Sequence, residues 1–155
     1  MTQIQTPLRY NDLAEMKCPA LLTLYADWES RRGERAFPAR ADFDPLEMRY
    51  ILGNLSLIEV MRDPLRFFFR VHASNIADRA GFDMTGKFLD ANPDVAHRAL
   101  VHDHFVATLM QRKPIFARRE RVFTDRMILQ CEALSLPLAR DGQTIDMLMT
   151  GFVWL

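Results

Sequence analysis

The stretch that decides the fold lies at residues 55–90 and reads LSLIEVMRDPLRFFFRVHASNIADRAGFDMTGKFLD. Its first part is apolar and partly β-branched, Asp63-Pro64 interrupts the pattern, and residues 65–71 resume as the strongest strand signal in the chain. After His72 the pattern is broken by glycines into short helical pieces. The stretch therefore predicts an antiparallel hairpin followed by short helices, which cross one face of the sheet and form a shallow cup.

A helix precedes this hairpin in the predicted order. Pro19 fits the first helical position, where a backbone N–H is not needed, and Gly33 fits the end. An apolar stripe at helical spacing consists of Leu21, Leu24, Tyr25 and Trp28. Leu22 lies off the centre of this stripe, so apolar side chains occupy more than one face. This arrangement indicates either a contact between two copies of the chain or a helix whose faces all pack on one core.

The elements around the hairpin complete the predicted order. Asp44 before Pro45 predicts a short helix over residues 46–52, and Asn92-Pro93 predicts the start of the longest helix. Strands are predicted at residues 115–124, 127–138 and 144–155, with turns at Asp125-Arg126 and Asp141-Gly142. Two strands, helices and then three strands predict an α+β fold with a five-stranded antiparallel sheet. Residues 1–18 are predicted to be an N-terminal arm, poorly ordered or briefly helical, ahead of a domain at residues 19–155.

Charge and cysteine content argue against several classes of protein. The 155-residue chain has 20 Lys or Arg and 20 Asp or Glu, so its net charge gives it no affinity for nucleic acid or anionic lipid. The basic run at residues 112–121 is interpreted as a solvated strand face, with Arg118 exposed, that alternates with core residues. Cys18 and Cys131 form no metal or disulfide pattern and are expected to be reduced. No apolar run has the length of a signal peptide or a membrane span, so the protein is predicted to be cytoplasmic.

Five sequence motifs resemble, in the right order, a family of PAS-like proteins that often occur as single domains in alphaproteobacteria. The motifs are WESRRG at residues 28–33, PARADFDP at 38–45, Arg70 at the end of the second strand, GFDMTG at 81–86 and LPLARDG at 136–142. The resemblance implies a PAS-like fold, with short helices on one face of a five-stranded antiparallel sheet and an N-terminal helix. It also implies a sensory or regulatory module that binds a small molecule, a partner or both. A kinase, cyclase or DNA-binding segment is not expected within 155 residues.

A ligand pocket is predicted on the concave side of the sheet. Its candidate lining consists of Phe69, Val71, Ile76, Phe82, Leu89, His102, Phe105, Leu129, Cys131, Met149 and Gly151. The ligand would be a small apolar molecule, since these side chains are mostly apolar. The alternative is a core that side chains fill completely, because protein interiors usually pack to high density. That alternative would make the domain a pure dimerisation or interaction module.

The histidines on the long helix are the main candidates for other chemistry. His102 and His104 point to different sides of a helix, and His97 lies two turns from His104, so no pair easily shares a metal. No motif requires a cofactor, although His102 at the edge of the apolar stripe is an option for an axial haem ligand. His102 or Asp103 would be the general base if the domain were a small isomerase of the cone-shaped type. The main prediction is a module without enzymatic activity.

The predicted partners follow from the first helix. We expect a homodimer that forms through Leu21, Leu22 and Tyr25 of this helix, together with a signalling protein whose identity the sequence does not give. Nucleic acid and membrane are not expected as partners.

Overall fold

The computed structural model describes residues 3–5, 10–123 and 128–155. Within them, seven strands form one antiparallel sheet: β1 (Gln3–Gln5), β2 (Tyr10–Asn11), β3 (Leu55–Met61), β4 (Arg66–Val71), β5 (Ile115–Phe123), β6 (Ile128–Leu138) and β7 (Met147–Trp154). The order across the sheet is β1-β5-β6-β7-β3-β4, and β2 also pairs with β5. The α-helices are α1 (Pro19–Arg32), α2 (Ser74–Ala80) and α3 (Val95–Gln111). The predicted α+β class with an antiparallel sheet is therefore confirmed.

The N-terminal residues and the connector before β3 differ from the prediction. Residues 3–5 and 10–11 pair with β5, where a poorly ordered or helical arm was expected. These strands are too short to show the two-residue alternation of apolar and polar side chains that identifies a strand in a sequence. Backbone hydrogen bonds to an existing strand do not require that alternation. Residues 46–52 form no α-helix, because single 3₁₀ turns at Pro45–Glu47 and Leu52–Asn54 take its place. A helix this short gains too few hydrogen bonds to offset the cost of nucleation.

The connection between β6 and β7 is longer than the predicted tight hairpin. The Asp141 Oδ1 accepts hydrogen bonds from the backbone N–H groups of Gln143 and Thr144, at 2.9 and 2.7 Å. This Asx-type turn delays the last strand, so β7 begins at Met147 rather than at residue 144. The predicted turn at Asp125-Arg126 lies outside the described residues.

Helix α1 packs closely on one face of the sheet. Leu21, Leu24 and Trp28 are buried, and the Trp28 Nε1–H donates a hydrogen bond of 2.9 Å to the Pro137 carbonyl. A Cβ atom placed on Gly151 would lie 2.6 Å from the Leu21 Cδ2 atom. The Gly151 backbone is thus closely approached by side chains of α1, and a larger residue would not fit there.

A buried carboxylate fixes the start of α1. Glu132 on β6 is fully buried, and it accepts hydrogen bonds from the Lys17 and Cys18 backbone N–H groups at 3.1 and 2.8 Å. The Arg118 guanidinium pairs with it at 3.0 Å, and the Arg118 side chain is only 25% exposed. The prediction of an exposed Arg118 is therefore wrong, because the apolar and polar alternation of β5 does not show which polar side chain meets a buried partner.

The opposite face of the sheet carries α2, α3 and the chain between them. Residues 86–87 run along edge strand β4, where Gly86 N–H donates to the Phe69 carbonyl at 2.8 Å and Phe69 N–H donates to the Lys87 carbonyl at 2.9 Å. Strand β4 and residues 86–87 thus form one edge of the concave surface that the sequence predicted as a shallow cup. Cys18 and Cys131 are both buried, and neither forms a disulfide. No helix in the described part of the chain is long and apolar enough to cross a membrane.

Candidate functional site

A cavity of about 390 Å³ lies between the sheet and the helices that cover it. Its apolar lining includes Phe69 from β4, Ile76 from α2, Phe82 and Met84 from the following loop, Leu89, and Val101 and Phe105 from α3. This volume falls in the range of small-molecule sites, roughly 300–1,000 Å³. A void of this size is not expected in a core that side chains fill to the usual density.

A row of hydroxyl groups crosses the sheet side of the cavity. Ser135 on β6 is paired in register with Thr150 on β7, and Thr150 is paired with Ser56 on β3. Paired residues on neighbouring antiparallel strands point to the same face, so all three side chains share the concave face. All three border the cavity, which gives an otherwise apolar wall a polar strip.

The hydroxyl groups of this row differ in their hydrogen bonding. The Ser56 Oγ accepts a hydrogen bond of 2.9 Å from the Ala73 backbone N–H, which ties β3 to the start of α2. Ser135 is 1% exposed, and its Oγ has no hydrogen-bond partner in the described structure. A buried hydroxyl without a partner costs about 1–3 kcal/mol. Because Ser135 lies in the cavity wall, its hydroxyl is a candidate hydrogen-bond partner for a molecule that occupies the cavity.

His104 and Arg119 form the second polar feature of the wall. His104 is buried on α3, with its Nε2 2.8 Å from the Ile115 carbonyl and its Nδ1 3.0 Å from the Arg119 Nη2. The Ile115 carbonyl can only accept a hydrogen bond, and the Arg119 guanidinium can only donate one. The His104 Nε2 therefore carries the proton and donates, and the Nδ1 accepts. Burial first, and the Arg119 charge second, lower the pKa of His104 to about 3, against the opposing effect of the Ile115 carbonyl. His104 is therefore a neutral group that orients the Arg119 guanidinium.

This neutral histidine predicts a pH dependence of stability. An unfolded histidine takes up a proton near its ordinary pKa of 6.5, whereas folded His104 stays neutral down to about pH 3. Protons therefore favour the unfolded chain in this window, and stability is lost as the pH falls below about 6.5. At about 1.36 kcal/mol per pH unit, we expect His104 to lower the free energy of unfolding by about 2 kcal/mol between pH 6.5 and pH 5.

Urea unfolding at a series of pH values measures this effect. Burial also lowers the pKa of His72, so His72 contributes in the same direction and a single slope does not isolate His104. The difference in slope between the wild type and His104→Gln does isolate it. We expect the variant to have a shallower slope, and equal slopes would contradict the assignment of His104 as a buried neutral base.

The loop over the cavity is held by His72. The His72 Nδ1 accepts a hydrogen bond of 3.1 Å from the Met84 backbone N–H, and the Thr85 Oγ1 accepts one of 2.9 Å from the His72 backbone N–H. At the other side of the cavity, the Arg79 guanidinium lies 4.5 Å from the Trp154 ring. Both contacts join the covering segment to the sheet and its edge, and so they define the walls of the cavity.

The structure brings together part of the predicted lining. Phe69, Ile76, Phe82, Leu89, Phe105 and Gly151 border the cavity. Met149 is buried and neighbours Gly151, but it does not border the cavity. Val71 is 43% exposed, past a register shift between β3 and β4 that breaks the alternation from which it was predicted. Cys131 is buried and does not border the cavity, and the Leu129 side chain lies outside the described part.

The residues predicted for other chemistry lie away from the cavity. The His102 side chain is 49% exposed, with its ring against the edge of Phe67, and it does not border the cavity. Asp103 is more exposed still. The placement of His102 in the pocket is therefore corrected, and neither residue is positioned to act there as a haem ligand or a general base. Among the described residues, no three His, Cys, Asp or Glu side chains are grouped to hold a metal ion.

Sequence reasoning missed the polar part of the site. His97 and His104 both border the cavity, whereas the sequence prediction assigns only His102 to it. Arg119 was counted within a solvated basic run, and Ser135 had no motif around it. The alternation along β6, which puts Ala133 and Ser135 on one face, is the signal that would have found Ser135.

An antiparallel sheet with short helices on one face and an N-terminal helix is the architecture that the sequence resemblance implied. A family model described as PAS domain matches residues 16–153, and the chain belongs to the PAS domain family. It is thus in general terms a sensory or interaction module, of a kind that is typically non-enzymatic and commonly mediates protein interactions and dimerisation. No curated protein and no solved structure matches the chain.

Proposed function

We propose that this PAS domain is a sensory module that binds a small, mainly apolar molecule in the cavity and transmits its occupancy to a protein interaction surface. The observation that carries the proposal is the buried Ser135 hydroxyl, which borders a cavity of about 390 Å³ and has no hydrogen-bond partner in the described structure. A mainly apolar pocket with a small number of polar groups in its wall is typical of small-molecule binding. A bound molecule that bonds to Ser135 would remove the cost of this buried polar group.

Strand β7 offers a physical route from the cavity to α1. Gly151 borders the cavity, and on the other side of the sheet its backbone lies against Leu21 and Leu24 of α1. Because Gly151 has no side chain to absorb a displacement, a shift of β7 toward a ligand would change the position of α1 on the sheet. A packed two-layer contact of this kind can carry coupling between a ligand site and a distant surface.

The outer face of α1 is the proposed dimer contact. Leu22 is 45% exposed, and Tyr25 on the same helix is partly exposed. Leu21 is fully buried against its own sheet, so it is not available to a partner and is removed from the predicted contact. Leu22 and Tyr25 would then form the centre of a contact between two copies of α1. A ligand that moves β7 would thereby act on the dimer.

Native mass spectrometry of the purified protein tests both parts of this proposal. We expect a dimer that carries a retained small molecule, released when the protein is denatured. Leu22→Asp should give a monomer, since a charge would be buried in the contact, whereas Leu46→Asp at another exposed leucine should remain a dimer. A monomeric wild type would contradict the α1 contact. Absence of any retained molecule, together with no uptake of added octan-1-ol, would instead support a pure interaction module.

A further inference from the structure

We infer that the ligand is a monocarboxylic acid with an apolar body, whose carboxylate lies between the Ser135 hydroxyl and the Arg119 guanidinium. This inference rests on the proposed ligand-binding function and names the chemical class of the ligand. It is drawn from four features of the cavity: an oriented guanidinium, a buried hydroxyl in the same wall, the balance of charge around the wall and the aromatic lining.

Arg119 supplies the positive charge. A guanidinium stays protonated at any physiological pH and presents N–H donors in a planar fork that matches a carboxylate. Arg119 borders the cavity, and its Nη2 donates to the His104 Nδ1 at 3.0 Å. Because His104 is neutral, this contact orients the guanidinium and adds no negative charge to the wall. The bond from the His104 Nε2 to the Ile115 carbonyl keeps Nδ1 in its acceptor state.

Ser135 lies across the ladder from the residue that holds His104. Ile115, which accepts the hydrogen bond of His104, is paired with Ser135 in the ladder between β5 and β6. The same backbone position thus fixes the imidazole and neighbours the serine. A carboxylate is an acceptor with two oxygens, so one oxygen would accept from the Ser135 hydroxyl and the other from Arg119.

The charges around the cavity favour an anion over a cation. Two arginines, Arg79 and Arg119, and one aspartate, Asp94, border it. The Asp94 carboxylate caps α3 by accepting a hydrogen bond of 3.1 Å from the His97 backbone N–H. An ammonium head would therefore be repelled by the nearby guanidinium, and an uncharged hydroxyl would form hydrogen bonds without the added strength of an ion pair.

The rest of the cavity suits an apolar body. Aromatic rings of Phe69, Phe82, Phe105 and Phe152 border it from β4, the loop, α3 and β7. Burying an alkyl or ring system here gains about 0.8 kcal/mol for each CH₂ group. The wall therefore selects a molecule that is apolar along its length and anionic at one end.

Three probes with the same chain and different heads test this inference: octanoate, octan-1-ol and octylammonium. Isothermal titration at neutral pH, on protein stripped of any retained molecule, measures their affinities. We expect octanoate to bind at least about tenfold more tightly than octan-1-ol, because the charge-assisted hydrogen bonds of a carboxylate are roughly twice as strong as the neutral ones of a hydroxyl. We expect octylammonium to bind more weakly than either.

Variants assign the preference to its residues. Arg119→Gln should bring octanoate to within about threefold of octan-1-ol, and Ser135→Ala should weaken both probes by about three- to tenfold. Arg119→Lys keeps the charge and should keep part of the preference. Arg32→Gln, on α1 and outside the cavity wall, is the matched control and should change nothing. Circular dichroism verifies that each variant is folded, and the wild-type comparison of the three probes needs no variant.

The outcomes separate this inference from the function on which it rests. Equal binding of octanoate and octan-1-ol, abolished by filling the cavity, would overturn the carboxylate assignment and leave the ligand-binding function standing. An octanoate affinity that Arg119→Gln leaves unchanged would also overturn the assignment. Failure of all three probes to bind, with no molecule retained in native mass spectrometry, would overturn both.

Discussion

Replacement of Glu132 by alanine is expected to lower the free energy of unfolding by about 3–5 kcal/mol, because it breaks a largely buried ion pair and leaves the Lys17 and Cys18 backbone N–H groups without their acceptor. The Glu132 carboxylate is fully buried and accepts from the backbone N–H groups of Lys17 and Cys18 and from the Arg118 guanidinium. Alanine would leave a partly buried charge and two backbone donors unpaired at the point where α1 begins. The effect should therefore extend to the docking of α1.

Urea unfolding of the variant, followed by circular dichroism, measures this loss. Glu132→Gln retains one acceptor oxygen and should fall between alanine and the wild type. Glu29→Ala is the matched control, since it removes a more exposed ion pair with Arg32 on the surface of α1, and it should cost less than about 1 kcal/mol. A loss below 1 kcal/mol for Glu132→Ala would mean that the buried carboxylate does not hold α1.

Replacement of Ala133 by tryptophan is expected to weaken the binding of octan-1-ol by about 100-fold or more, since the indole would occupy the volume that a ligand needs. Ala133 is buried on β6, paired with Ala117 and Phe152, and borders the cavity between strands that carry the hydroxyl row and Arg119. The cavity accommodates part of the larger side chain. The cost in stability should therefore stay within about 1–3 kcal/mol.

Isothermal titration compares this variant with the wild type and with Ala99→Trp. Ala99 lies on the exposed part of α3 and outside the cavity wall, so tryptophan there adds the same side chain without filling the site. We expect Ala99→Trp to bind octan-1-ol as the wild type does. Equal affinity in Ala133→Trp and the wild type, with both proteins folded, would show that the probe binds elsewhere.

Local sequence signals were sufficient for the main elements of the fold. The Pro19 start and Gly33 end of α1, the hairpin of β3 and β4, and the long helix α3 all depend on periodicity and on capping residues near in sequence. The two-residue strand at Tyr10 could not be predicted in this way, because it exists through pairing with a strand more than a hundred residues away. Long-range backbone pairing leaves little trace in so short a segment.

The apolar lining was accessible from alternation, whereas the polar groups were not. Phe69 and Ile76 follow from the faces of β4 and α2. His104 lies in the cavity wall because of how α3 packs against Ile115, and Arg119 is oriented by its hydrogen bond to His104. Both positions are therefore set by packing between separate elements of the fold. Spacing along α3 cannot distinguish His104 from His102, although one is buried and the other is half exposed.

The central claim is that the hollow between the sheet and its covering helices is a ligand site. The most direct test is an NMR measurement of intermolecular nuclear Overhauser effects between octan-1-ol and the methyl groups of the protein. We predict contacts from the alkyl chain of octan-1-ol to Ile76, Val101 and Ala133, which border the cavity on three different elements. Contacts confined to exposed side chains such as Leu22 and Leu46, with none to these three, would contradict the claim.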